Sequence, residues 1–375
     1  MPWKECSLMS EREEFVALAS RPGAVISRLC RRFGISRKTA YKWLSRASTG
    51  EPDWARNLSR RPHHSPTRTP VEMEQQVLTL RQHYPYWGGR KIRQLLLEQG
   101  QSNVPASSTI TNILRRHDLI PEPVPGSHSP LQRFERETPN DLWQMDFKSP
   151  LQTLEQVCHP LTIVDDHSRY SLCVRACPDQ RRSSVKPVLI SVFQRYGLPR
   201  QMLMDNGSCW GSARSRYTRL SAWLIQLGIT IRHGRHYHPQ TQGKNERFNR
   251  TLATELTDRR RFRDLTDCQQ AFDRFRHTYN QLRPHQAIGM QPPVSRYRSS
   301  PLSYPSRLPE IQYPHTDLVR KVVPAGFISF EGRRFQIGRA FSGFYVGLRS
   351  TDHNHIFDVF FCHQLIQKID LDDHI

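Results

Sequence analysis

The sequence lacks any long apolar run. No stretch of its 375 residues approaches the roughly 18 consecutive apolar residues that a membrane-spanning helix needs. The opening segment, MPWKECSLMSEREEF, also lacks the apolar core of a secretory signal peptide. Hydrophobic residues make up 37% of the chain. We therefore expect no membrane partner, and several small hydrophobic cores.

Paired cysteines are also missing. The eight cysteines are scattered and none forms a C-x-x-C pair, which argues against a cysteine zinc site and fits reduced thiols in a cytosol. Cys173 and Cys177 fall in a predicted strand and are interpreted as core thiols. His233, His236 and His238 resemble a metal-binding run, but they precede a loop and have no matching cysteine pair, so we favour phosphate contact or loop structure there.

Acidic residues are scarce. Lysine and arginine number 55 against 34 acids, a net charge of +21. Such a field attracts polyanions, so nucleic acid is the leading partner, and a merely soluble, sticky basic protein is the alternative. The scarcity is sharpest from Asn206 to Asn245, where six basic residues occur and no acid. Asp205 and Glu246 stand alone at the two ends of this interval.

Residues 1–59 are predicted to form a helix-turn-helix domain. Three short helical segments end with RKTAYKWLSRA, which follows a glycine turn and a serine able to cap a helix. Residues 21–50 contain eight basic residues and no acid. The last helix of such a motif lies in the major groove. The alternative is a plain helical hairpin with a solvated basic face. The residues predicted to face DNA are Arg37, Lys38, Tyr41 and Lys42.

A second helical module is predicted at residues 71–120, between linkers at 60–70 and 121–138. Its apolar stripes include Met73, Val77, Leu80 and Tyr84, and its helices have basic edges. A second helix-turn-helix-like domain is the favoured interpretation, and a spacer domain is the alternative.

The rest of the chain predicts a central α/β domain and a C-terminal β domain. Strand and helix patterns mix over residues 139–298, a proline-rich linker occupies 299–315, and short alternating segments broken by glycines at 316–375 predict a small β-barrel. Asp165 and Asp166 are interpreted as part of a hairpin bend with Ser168. The fold class is therefore multidomain, with N-terminal all-α modules, a central α/β core and a C-terminal barrel.

Three carboxylates fall at the ends of predicted elements in the central domain. Asp146 lies near the end of one strand, Asp205 at the end of another, and Glu246 in the first turns of a helix. Converging acids repel one another unless a cation neutralises them, and Mg²⁺ prefers carboxylate oxygens and bridges to phosphate. From the residues alone a simpler interpretation stays open. An aspartate before Asn-Gly suits a turn, and a glutamate early in a helix complements the helix dipole.

Several motifs of the chain resemble a known family. WQMDF, DNGS and HPQTQGKNERFNRTL are similar, in order and spacing, to the signature blocks of the integrase catalytic core of DDE transposases and retroviral integrases, an RNase-H-like fold. FGISRKTAYKWL, RRPHHSPTRTP, YWGGRKIR and GFISFEGRRFQIG are typical of bacterial transposases of insertion-sequence family four-eight-one. The resemblance covers nearly the whole chain.

The resemblance implies a metal-dependent polynucleotidyl transferase. Asp146, Asp205 and Glu246 would be catalytic residues that hold two Mg²⁺ ions, with Mn²⁺ able to substitute. It further implies a bacterial cytoplasmic protein on chromosomal DNA that binds double-stranded transposon ends and target, as a homo-oligomer in the synaptic complex. Two alternatives stay open, namely a DNA-binding regulator with a non-catalytic core and a nuclease that never joins strands. The residues expected to contact DNA near the metals are Asn206, Lys244, Arg247 and Arg250.

Overall fold

The structure is a computed structural model. The residues that it describes are 8–58, 68–120, 135–204, 217–233, 243–353 and 355–372. They cluster into two compact units, one ending at Arg68 and the other beginning at Thr69. No helix in the described ranges is long and apolar enough to cross a membrane.

The first unit contains the three helices that the sequence predicts. The last helix is capped by Ser36, whose hydroxyl accepts the backbone N–H of Thr39 at 3.1 Å. Phe15, Cys30 and Ala40 are buried between the helices. The predicted glycine turn before the last helix is confirmed, because Gly34 has a φ of +63°, in the left-handed region that favours glycine. The helices are α1 (Leu8–Ala19), α2 (Ile26–Arg32) and α3 (Arg37–Ala47).

The second unit begins with the other predicted helical module. Trp87, Ile92 and Ile110 lie in its buried cluster. Two of its helices approach closely at Gly89, where a Cβ would meet the carbonyl of Ser107 and the hydroxyl of Thr111. The helices are α4 (Val71–His83), α5 (Gly89–Glu98) and α6 (Ser107–Arg116).

The central α/β core is confirmed. Its sheet has the order β4-β3-β1-β5-β6, and the short β2 also pairs with β3. β1 runs antiparallel to β3 and parallel to β5, which also runs parallel to β6. The sequence analysis does not predict β6, because four residues that include an arginine and a histidine show little strand alternation. The strands are β1 (Leu142–Phe147), β2 (Leu151–Gln152), β3 (Val157–Asp165), β4 (Ser171–Cys177), β5 (Gln201–Met204) and β6 (Thr230–His233).

Within the described residues, four helices accompany this sheet, as the apolar periodicity predicts. One of them, α9, buries Asn245, Phe248 and Leu252 and leads into a π-helical turn over Ala253–Thr257. π-Helical turns inside helices are frequent near functional sites. The helices are α7 (Arg182–Tyr196), α8 (Arg219–Gln226), α9 (Gly243–Leu252) and α10 (Leu265–Gln281).

The C-terminal region is all-β, as predicted. Its strands form one four-stranded antiparallel sheet, β12-β11-β10-β7, and one hairpin, β8-β9. Pairing among the described residues does not close these sheets into the predicted barrel. The strands are β7 (Leu318–Lys321), β8 (Phe327–Phe330), β9 (Arg333–Gln336), β10 (Tyr345–Ser350), β11 (Ile356–Phe361) and β12 (Gln364–Asp370).

The core and the C-terminal sheets share one hydrophobic cluster. Phe341 is fully buried, and its ring centroid lies 5.4 Å from Tyr217 and 4.9 Å from Phe361. The side chain of Gln364 accepts the backbone N–H of Ile231 at 2.9 Å, which satisfies a group on the edge strand β6. The C-terminal sheets are therefore part of the packing of the core.

Candidate active site

Asp146 lies near the end of β1, at the centre of the sheet. Its neighbour Met145 pairs with Met204, the last residue of β5. Both methionines are fully buried, so β1 and β5 are fixed against each other at this level. Asp205 directly follows Met204 in the sequence and lies outside the described residues, as does Asn206.

Glu246 lies in the first turn of α9. Its side chain is 59% exposed and pairs with Arg250 at 2.8 Å, an exposed pair of the kind that contributes little. One turn further, Asn249 donates from Nδ2 to Oδ2 of Asp146 at 3.1 Å. Residues three apart on a helix lie on the same face, so this bond brings the helix face bearing Glu246 to the Asp146 carboxylate.

A buried polar network fixes α9 to the sheet. Gln144 and Asn245 are 2% and 1% exposed. Gln144 Oε1 accepts the backbone N–H of Asn245 at 3.1 Å, one of the helix-start donors that lack an intrahelical partner. The Asn245 Oδ1 accepts the hydroxyl of Thr162 at 3.1 Å, and this hydroxyl also lies 3.1 Å from the carbonyl of Asp146. Gln144 on β1 and Thr162 on β3 therefore hold the first turn of α9 against the sheet.

The second acid of the hairpin bend belongs to the same network. Asp166 is buried, accepts Nε2 of Gln144 at 2.8 Å and the backbone N–H of Arg136 at 2.9 Å, and forms an ion pair with Lys244. Burial lowers the pKa of the Lys244 ammonium, with Arg169 adding to the shift and Asp166 opposing it. The structure therefore gives Lys244 a carboxylate partner within the protein.

The first acid of the bend has a different role. Asp165 accepts the backbone N–H of Asn140 at 2.7 Å and that of Ser168 at 2.8 Å, which confirms the predicted bend with Ser168. Burial raises the pKa of the Asp165 carboxyl, and the bonds from Ser168 and Asn140 oppose the rise. These hydrogen bonds of Asp165 thus stabilise the bend and the segment just before β1.

The residues predicted to contact DNA fall into two described groups. Four lie on α3, and Tyr41 among them is 59% exposed. Arg37, Lys38 and Lys42 are exposed as well. On α9, Arg247 and Arg250 are exposed, whereas Lys244 is half-buried. As DNA contacts, all of these remain predictions.

Sequence reasoning misses the polar residues beneath the site. One signal for them exists, because Asn245 shares a buried helix stripe with Phe248 and Leu252, and an asparagine in such a stripe needs partners. Those partners cannot be read from the sequence, since they come from strands about 100 and 80 residues away. Among the described residues no three metal-ligating side chains cluster; of the predicted triad, Asp146 and Glu246 are described.

Family models match most of the chain in consecutive blocks. An integrase core domain model matches residues 136–239 and a second one matches 227–293. A homeodomain-like domain model matches residues 39–114, from α3 through most of α6. The model of the IS481 family transposase C-terminal domain matches residues 317–374, the β region that packs on the core.

The chain is therefore similar to the IS481-type transposases, through matches that each cover less than half of it.

Curated relatives of the chain include mobile-element and viral proteins. It is 30% identical over 159 residues to an insertion element IS476 uncharacterized 39.2 kDa protein of Xanthomonas euvesicatoria, a match that covers 42% of the chain and 44% of that protein. It is 27% identical over 244 residues to the Gag-Pol polyprotein of baboon endogenous virus (strain M7), covering 60% of the chain and 14% of the polyprotein. The chain thus spans less than half the length of either relative.

Solved structures similar to the chain include viral integrases. One is the intasome of simian T-cell lymphotropic virus in complex with PP2A regulatory subunit B56 gamma, at 16% identity and a TM-score of 0.38, covering 72% of this chain and 91% of that one. Another is the HTLV-2 integrase catalytic core domain in complex with magnesium, at 17% identity and a TM-score of 0.33, covering 43% and 99%. Both TM-scores are below 0.5, so these likenesses do not establish a shared fold by themselves.

Proposed function

We propose that the protein is an active DNA transposase whose central domain cleaves the 3′ ends of its element and joins them to target DNA. One observation carries the proposal. Asn249, three residues after Glu246 on α9, donates to the carboxylate of Asp146, which lies 100 residues before Glu246 in a strongly basic chain. The chain has a net charge of +21, yet Asp146 and Glu246 lie on neighbouring elements. A site that binds cations at a phosphate backbone would give both acids a role.

The donor set fits divalent metal ions. Asp146, Asp205 and Glu246 would hold two Mg²⁺ ions, or Mn²⁺ in their place, because all three offer the hard carboxylate oxygens that these ions prefer. Asp205 is included because Met204 before it pairs with Met145, which precedes Asp146. When bound, the two ions would supply activation of the attacking oxygen and stabilisation of the leaving oxygen.

The chain's own residues would hold and orient the DNA. Water would attack the phosphodiester at the element end and release a 3′-hydroxyl. This hydroxyl would then attack a phosphodiester of the target strand, forming a new P–O bond and displacing the 3′-hydroxyl of the target. Arg247 projects from the exposed side of α9, one residue after Glu246, and would bind a flanking phosphate. The helical modules would bind the terminal inverted repeats, and two or more copies of the chain would assemble on paired ends.

The test is neutralisation of each acid in the full chain. Asp146→Asn, Asp205→Asn and Glu246→Gln should each abolish cleavage and joining of labelled element ends while gel shifts show unchanged binding. Glu155→Gln, an exposed acid in the turn between β2 and β3, is the matched control and should retain activity. Mg²⁺ or Mn²⁺ should support turnover, whereas Ca²⁺, with its larger and looser coordination, should bind without efficient turnover.

The outcomes separate the alternatives. Efficient strand transfer by any one of the three variants would refute the triad. Cleavage without joining by the wild type would indicate a nuclease. Sequence-specific binding with no metal-dependent cleavage would indicate a regulator with a non-catalytic core.

A further inference from the structure

We propose that Asp166 is a positioning residue for the active site. Together with Gln144 it holds the start of α9 against the sheet and thereby sets where the Glu246 carboxylate stands. The inference rests on the proposed function, because it gives a role to a residue that supports the proposed metal-binding acid.

Asp166 determines which way round the Gln144 amide lies. A glutamine side chain has one donor end and one acceptor end. Because an ionised carboxylate can only accept, Asp166 takes the Nε2 donor at 2.8 Å, and this turns Oε1 towards the N–H of Asn245 at 3.1 Å. A single buried carboxylate thus controls the bond that caps α9 from another element.

The backbone of α9 is held on both sides of Glu246. The two residues before it are attached to the sheet region, Lys244 through Asp166 and Asn245 through Gln144. Three residues after it, Asn249 bonds to Asp146 at 3.1 Å. The Glu246 side chain itself is mostly exposed and pairs with Arg250 on its own helix. The position of its carboxylate therefore depends on the contacts that hold the neighbouring residues of α9.

Replacement of Asp166 by asparagine should disturb this arrangement without changing the size of the side chain. The carboxylate accepts from three donors, on Gln144, Arg136 and Lys244. An asparagine has one acceptor oxygen and places an NH₂ group against at least one of those donors, whichever way round it lies. The network should then loosen at the first turn of α9.

The control is the adjacent acid, Asp165. It is also buried and accepts comparable hydrogen bonds, but these come from Asn140 and Ser168 and not from α9. A purely structural role for Asp166 predicts that Asp166→Asn and Asp165→Asn behave alike. A positioning role predicts that only Asp166→Asn alters the metal site in molecules that remain folded.

The experiment measures three properties of the full chain for the wild type and both variants. Mn²⁺ affinity is measured by calorimetry without DNA, hydrogen exchange of the 243–252 peptide by mass spectrometry, and strand transfer over a Mg²⁺ titration. We expect Asp166→Asn to bind Mn²⁺ about 10- to 100-fold more weakly, the usual effect of removing a group that orients a metal ligand. Its α9 peptide should exchange faster, and its strand transfer should require more Mg²⁺. Folded Asp165→Asn should match the wild type in Mn²⁺ affinity.

Two results would overturn the inference. One is a folded Asp166→Asn protein with wild-type Mn²⁺ affinity and α9 exchange, and the other is an equal loss of affinity in Asp165→Asn. Should Asp166→Asn fail to fold, Gln144→Met is the second variant, since it removes the same cap and keeps the side-chain length, and the same two criteria apply. Failure of the proposed function is distinct, because it would appear in the wild type itself, which would then not transfer strands.

Discussion

Replacement of Lys91 by methionine should stabilise the protein at neutral pH. Lys91 lies on α5, and burial, with Arg283 adding to it, lowers the pKa of its ammonium from 10.5 to about 8. At about 1.36 kcal/mol per pKa unit, this lowering of the Lys91 pKa corresponds to at most roughly 3.5 kcal/mol. Glu255 offsets part of the cost of the charge, but burial exceeds it.

The sign follows from proton binding. Below pH 8 both the folded and the unfolded chain carry the proton, so the folded protein bears the whole cost of the buried charge. Between pH 8 and 10.5 the unfolded chain still binds a proton that the folded chain has lost, and the free energy of unfolding therefore rises with pH. Lys91→Met should lack this rise, so its advantage over the wild type should shrink from pH 7 to pH 10.

Urea unfolding of the wild type and Lys91→Met at about pH 7, 8, 9 and 10 checks the prediction. Lys321→Met, which removes an exposed lysine from the same compact unit, controls for the change in net charge. A destabilised Lys91→Met protein at pH 7, or an advantage that stays constant with pH, would refute the reasoning.

Two further predictions concern the ends of the chain. Alanine at Arg37, Lys38 or Lys42 should weaken binding to the element end, measured by gel shift, more than binding to an unrelated duplex. The reason is that contacts to bases determine sequence specificity. Equal losses on both duplexes would make α3 a general DNA-binding element. Phe341→Ala should lower the free energy of urea unfolding by about 3–5 kcal/mol, as for other buried phenylalanines, and should affect core and C-terminal sheets in one transition. Separate melting of the C-terminal sheets, or a loss below about 1 kcal/mol, would contradict the shared packing.

Local chemistry makes much of this fold predictable from the sequence. The cap at Ser36 and the glycine turn before it mark the start of α3, and apolar stripes mark the helices of the second module. The sequence also predicts that Asp146 lies near the end of a strand and Glu246 in the first turns of a helix, and the structure has them there. These features depend on residues that lie within a few positions of one another, so one segment suffices to recognise them.

The remaining features depend on contacts between distant segments. The four residues of β6 form a strand because β5 lies beside them and the Gln364 side chain reaches their edge from more than 130 residues away. Asp166 looks like an ordinary turn residue until the fold brings Gln144 and Lys244 to it. No local pattern encodes such partners.

The shared hydrophobic cluster also bears on synthesis of the protein. Ile231 and Ile369 belong to one cluster, although the ribosome makes them 138 residues apart. At a synthesis rate of roughly 5–20 residues per second, the sheets that cover the apolar side of α8 are completed on the order of 10 seconds after α8 itself. During that interval the nascent chain exposes a surface suited to chaperones, and a message cut short before β10 would yield a product that keeps this surface open. Packing of the core therefore depends on synthesis of the C-terminal sheets.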